Sequence, residues 1–171
     1  MVLEAQDNNF IINIVMDSIR VLILIAKFEE KKSFKLNLDR IMLYDYYMKF
    51  PNTMIESKNF KVSIKYNFYE YYSFYHWKPD YNNYTKILKH LMSKGLIERK
   101  FKNREFYYCS TELGFEFIKQ LNSGYKQVLD SVAEFIKDSV SKKKDNEVEQ
   151  EILCKTNIIN RFKGEKDGEK I

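Results

Sequence analysis

The sequence predicts an α+β chain: a winged helix-turn-helix with an insertion and a helical C-terminal extension. Three observations predict it. Residues 81–94 carry an apolar helical period that stops at Gly95. Two short segments with aromatic and β-branched residues follow, 96–101 and 105–109, flanking the basic turn Lys102-Asn103-Arg104. Another amphipathic stretch begins just after Thr111. Helix, strand, turn, strand, helix is the order in which such a module ends. The predicted division is a winged-helix domain over 10–122 with an insertion at 51–79, a helical extension over 123–162, and a disordered tail over 163–171.

Each element has its own local warrant. Residues 10–28 form the first helix, with Ile12, Val15, Ile19, Leu22, Ile23 and Ala26 on one broad face; a stripe that wide belongs to a helix at the centre of a core. Residues 33–37 are a connection. Residues 39–49 form the second helix, carrying Ile41, Met42, Asp45 and Tyr46. Pro51 ends it, because the residue before a proline is pushed out of the helical region. The stretch from Pro51 to Pro79 is longer than a helix-turn-helix needs. Within it, residues 59–67 alternate Phe60, Val62, Ile64 and Tyr66 with polar partners, which fits an extra strand. Residues 68–77, FYEYYSFYHW, are densely aromatic and fit either a strand or a helix. An insertion this apolar packs either on the domain's own core or on a partner.

The third helix spans 81–94, capped by Asp80, with Tyr84, Ile87, Leu88, Leu91 and Met92 turned inward. Gly95 occupies the left-handed position that closes a helix. Thr111 caps the next helix, lined by Leu113, Phe117, Ile118 and Leu121. Ser123-Gly124 makes a break. A helix over 125–140 then places Tyr125, Val128, Leu129, Val132, Phe135, Ile136 and Val140 on one face, and Lys142 to Lys144 suit the negative end of its dipole. Residues 147–162 carry a weaker period at Val148, Ile152, Ile159 and Phe162.

A length of 171 residues suits one domain, or one domain with an extension, and 44% hydrophobic residues supply a core. Thirteen Tyr and thirteen Phe are many for this length. Either some make contact area at the surface, or the excess reflects biased base composition in the encoding gene. Two cysteines, Cys109 and Cys154, make neither a disulfide scaffold nor a metal cluster. The N-terminus carries Glu4 and Asp7 without a basic leader, and the longest apolar run, from Val21 to Ala26, is far too short to cross a bilayer. The expectation is a cytoplasmic protein with no membrane partner. The net charge of +5 concentrates in residues 81–110, where Lys86, Lys89, Lys94, Arg99, Lys100, Lys102 and Arg104 face only Glu98 and Glu105. Such a patch steers nucleic acid or an acidic protein surface, or is simply a solvated face.

The sequence holds no nucleophile elbow and no phosphate-binding glycine loop, and its two histidines, His76 and His90, fall on different elements. The expectation is therefore a non-enzyme with no catalytic residues, no cofactor and no metal. For DNA, the third helix would enter the major groove with Asn82, Asn83, Lys86, Lys89 and His90 as its polar candidates, while Lys100, Lys102 and Arg104 of the wing, with Lys94, would meet phosphates. For protein, Phe68, Tyr71, Tyr72, Tyr75 and Trp77 of the insertion would supply contact area, with Tyr125, Val128, Val132 and Ile136 of the later helix.

Three stretches, SIRVLILIAKF (18–28), LDRIMLYDYYMKF (38–50) and LMSKGLIERKFKNREFYYCSTELGFEFIKQL (91–121), carry a family resemblance. With Arg20, Leu43-Tyr44-Asp45-Tyr46 and Gly95-Leu96-Ile97-Glu98-Arg99 as its marks, the chain resembles the small middle component of bacterial ABC-three-component systems, among them the Lamassu type of antiphage defence. The resemblance covers roughly residues 14–140. It implies a non-catalytic subunit seated on an SMC-like ABC ATPase together with an effector, often a nuclease, with double-stranded DNA possible in the same complex. The alternative is a stand-alone winged-helix transcription regulator, which would need a symmetric dimer and a specific DNA site.

Overall fold

The computed structural model describes residues 2–59, 68–76 and 78–156. Seven α-helices are described among these residues: α1 (Val2–Phe28), α2 (Leu38–Lys49), α3 (Pro51–Met54), α4 (Tyr81–Ser93), α5 (Glu112–Gln120), α6 (Gly124–Asp138) and α7 (Asp145–Lys155). Strands β1 (Ile97–Lys102) and β2 (Glu105–Ser110) lie between α4 and α5. The result is an α+β fold with a small two-stranded sheet flanked by helices.

The C-terminal half of α1 is the axis of the core. Val21, Leu22, Leu24 and Ile25 are each fully buried, and a helix apolar on all sides is one surrounded by neighbours. Here α2, α4, α5, α6 and β2 all pack on it. The helix begins at Val2, well before the start expected at residue 10; Asn8 and Asn9 break the apolar period but do not stop the backbone. Asn37 caps α2, accepting a bond from the Arg40 amide at 3.0 Å. Asp80 caps α4, accepting from the amides of Asn82 and Asn83. Gly95, at φ +69°, then turns the chain into β1.

The two strands pair antiparallel as expected, with Ile97 opposite Ser110 and Phe101 opposite Phe106. The connection over 33–37 is less passive than the sequence indicated. Leu36 bridges Tyr108, whose amide donates to its carbonyl at 2.9 Å. Thr111 caps α5, accepting from the Gly114 amide and donating to the Gly95 carbonyl at 2.6 Å. Gly114 lets α5 lie against the start of β1. A Cβ there would stand 2.2 Å from the Leu96 carbonyl oxygen and 2.6 Å from the Ser110 hydroxyl. Gly114→Ala is therefore expected to cost about 1–3 kcal/mol through overpacking, despite alanine's better helix propensity. Urea unfolding measures this, and an unchanged or raised midpoint would refute the close approach.

The expected extension is part of the same core. Ser123 caps α6 through the Lys126 amide. Leu129, Val132, Ala133 and Ile136 are buried in the cluster built on α1 and α2. A short 3₁₀ turn, Val140–Lys142, follows Asp138, so the lysines at 142–144 lie beyond α6 rather than in its last turn. Helix α7 begins at Asp145, where the Glu147 side chain accepts from the Lys144 amide at 2.9 Å. It seats Val148 and Ile152 against α2 and α3. Arg40 bonds Asp145 at 3.1 Å across that contact.

The strand expected over 59–67 and the tail over 163–171 lie outside the described residues, apart from Asn59, which ends a 3₁₀ turn. The aromatic stretch, which fitted strand or helix, is a 3₁₀ helix, Phe68–His76. No helix among the described residues is long and apolar enough to cross a membrane.

Candidate functional site

Arg20 and Asp45, two of the residues that carry the family resemblance, meet in the core. The Arg20 guanidinium grips the Asp45 carboxylate with two bonds, Nε to Oδ1 at 2.6 Å and Nη2 to Oδ2 at 3.0 Å. Asp17 takes a further bond from Nη2 at 2.7 Å, and the Tyr84 hydroxyl donates to Asp45 Oδ2 at 2.6 Å. Lys49 approaches the same oxygen at 3.5 Å and lies over the Tyr84 ring. Burial opposes the Asp45 charge, but Arg20 and Lys49 outweigh it and hold the carboxyl below its ordinary range. Burial, then the Asp45 charge, pushes the Tyr84 hydroxyl well above its ordinary value. Asp45 is sealed from solvent with its oxygens occupied, so this knot ties α1, α2 and α4 together rather than exposing a reactive acid.

The aromatic 3₁₀ helix presents two sides. Its inner side is bound to α2 and α3. Glu70, 4% exposed, accepts from the amides of Asn52 and Thr53 at 3.0 and 3.1 Å and from the Thr53 hydroxyl at 2.6 Å, which satisfies the first turn of α3. The Tyr46 hydroxyl donates to the Ser73 carbonyl at 2.5 Å, and His76 stacks on Phe50. Its outer side carries Tyr72 and Tyr75, 43% and 69% exposed, with ring centroids 6.1 Å apart. Among the described residues, one side is thus fastened to α2 and α3 while the other faces out. The backbone at Phe68 and Tyr71 belongs to this helix, but their side chains, and all of Trp77, lie outside the described residues.

The expected DNA-contacting residues Lys86, Lys89, Lys94, Lys100, Lys102 and Arg104 are all exposed, on α4, its C-cap and the hairpin. Lys100 is paired with Glu98 at 2.6 Å. Asn103 and Arg104 form the turn, both in the left-handed region at φ 54° and 67°. Two positive angles in succession match the tight hairpin turn that suits strand twist and usually takes glycine at the second place. Arg99 belongs to the basic patch but was not among the expected DNA contacts. Its guanidinium lies 4.4 Å over the Phe106 ring, and Phe106 in turn touches Phe101 at 4.9 Å. The spacing of Arg99 and Phe101 on one strand, with Phe106 and Phe101 level across the turn, is the signal that would have found it.

The candidates on α6 divide. Tyr125 is exposed and Val128 half-buried, whereas Val132 and Ile136 are fully buried against α1 and α2. The structure uses those two for its own core rather than for a partner. Conversely, Leu113 of α5, expected to face inward, is 57% exposed. It borders an open apolar groove of about 390 Å³ that also takes in Val15, Ile19, Leu91, Leu96 and Phe117, between α1, α4 and α5. His90 and Lys94 stand on its wall.

Burial pushes the Cys109 thiol up to about 11, so it is protonated at neutral pH and a poor nucleophile. Among the described residues no cluster of His, Cys, Asp or Glu could hold a metal ion. What the described residues offer is an α+β scaffold that presents a basic hairpin, an aromatic face and an apolar groove. The family model for the ABC-three component (ABC-3C) system Middle Component 2 matches residues 12–160, and the chain belongs to that family. The match bears out the resemblance read from Arg20, Asp45 and the entry into β1, and it extends beyond residue 140 to take in the whole of α7. No curated protein and no solved structure matches the chain.

Proposed function

We propose that this chain is the non-catalytic adaptor of an antiphage complex of the Lamassu kind, joining an SMC-like ABC ATPase to an effector such as a nuclease. Family membership over residues 12–160 carries the reading. The adaptor would be a winged helix over residues 10–122, with its insertion at 51–79 and a helical extension over 123–162. Support for that architecture comes from the order α1, Leu36 bridge, α2, α4, β1, β2, in which the bridge adds a short third edge to the hairpin between the first two helices. The outward pair Tyr72 and Tyr75 would meet a protein partner, since exposed tyrosines give large contact area at low conformational cost. Lys86, Lys89, Lys94, Lys100, Lys102 and Arg104 would add weak, sequence-independent DNA contact through phosphates.

Copurification from cells expressing the neighbouring genes tests this. The expected result is elution with the ATPase and effector, and loss of that association in Tyr72→Ala/Tyr75→Ala with an unchanged thermal melt. A chain that emerges alone as a homodimer and shifts a short operator would instead be a transcription regulator, and the adaptor reading would fall.

A further inference from the structure

We infer that the tip of the β1–β2 hairpin takes unpaired nucleobases, Phe101 and Phe106 stacking on them while Arg99, Lys102 and Arg104 hold the adjoining phosphates. The inference rests on the proposed DNA contact and names the form of DNA it selects. Beyond Ile97 every residue of β1 is exposed, so the hairpin projects from the core. At its end stand two large rings, 64% and 50% exposed, level across the strands and 4.9 Å apart. Cations border them: Arg99 over Phe106, and Lys102 and Arg104 at the turn. Aromatic rings beside a cationic track are what a single strand needs, because each base offers a π-face and each link a negative charge. A closed duplex hides those faces; an end, flap or melted stretch presents them.

An apolar protein pocket fits the tip less well. Enclosing Phe106 would also enclose the guanidinium lying on it, and a charge stripped of water without a partner is expensive. A phosphate supplies that partner. Arg104 holds a left-handed backbone position that glycine takes without strain.

The test uses the full chain at low ionic strength, with a fluorescein-labelled oligothymidylate of about 20 nucleotides and a mixed-sequence duplex of equal length. The single strand is expected to bind at least about tenfold more tightly than the duplex. Phe101→Leu/Phe106→Leu should abolish that preference, leaving duplex binding and the thermal melt unchanged. Arg104→Gly should weaken both ligands a few-fold with a melt that is unchanged or higher. Equal binding of the two DNAs, or a leucine variant that keeps the preference, overturns the inference but leaves phosphate contact standing. Absence of binding to either DNA, with the leucine variant failing to copurify with the system's other components, makes the tip a protein contact and overturns both readings.

Discussion

Asp45→Asn is expected to destabilise the fold by about 3–5 kcal/mol, because it leaves the buried Arg20 charge with only the part-exposed Asp17 to balance it. The shape of the side chain is kept, so lost packing does not explain the loss. The same group sets a pH dependence. Its folded carboxyl lies below its ordinary value of 3.8, so the stability it contributes is fully present above that value and lost as pH falls through the folded one. Urea unfolding at neutral pH and again near pH 3 measures both effects. The asparagine variant should show the deficit at neutral pH and a flatter acid limb. A neutral-pH change below about 1 kcal/mol would mean that the pair does not hold the three helices together.

Ile136→Ala is expected to cost the isolated chain about 2–5 kcal/mol, the range for removing a large buried aliphatic side chain. Ile136 is fully enclosed against α1, whereas Tyr125, on the same helix, is 46% exposed. Tyr125→Ala should therefore change stability by no more than about 0.5 kcal/mol. Chemical denaturation of both variants decides whether α6 belongs to the core. An unchanged midpoint for Ile136→Ala, with a lost partner, would return α6 to the interface.

The contrast between these residues shows what the sequence could express. Caps were legible because they depend on a few adjacent residues: Asp80, Gly95 and Thr111 act where their chemistry pointed. The hairpin was legible for the same reason. An apolar stripe, however, states only that a helix is covered, not by what. Val132 and Ile136 read equally well as a partner's contact and as a cover for α1. Leu113 failed in the opposite sense, apolar in period yet left at the rim of a groove. The Arg20–Asp45 pair spans 25 residues of sequence and has no local period, so only the family resemblance drew attention to those positions. Glu70 was similarly hidden, a lone acid among tyrosines whose partners are amides on another helix.

That carboxylate has a wider consequence. Among the described residues, the hydrogen bonds that fasten the inner side of the aromatic stretch use generic groups: one acid on two helix-end amides and one backbone carbonyl under the Tyr46 hydroxyl. None of these fixes the identity of the outward residues. A different stretch bringing one acid and one carbonyl to the same places, with a ring for Phe50, would keep these contacts. The scaffold can thus exchange the face it shows to its surroundings, as a socket accepts different fittings, while its helix packing stays the same.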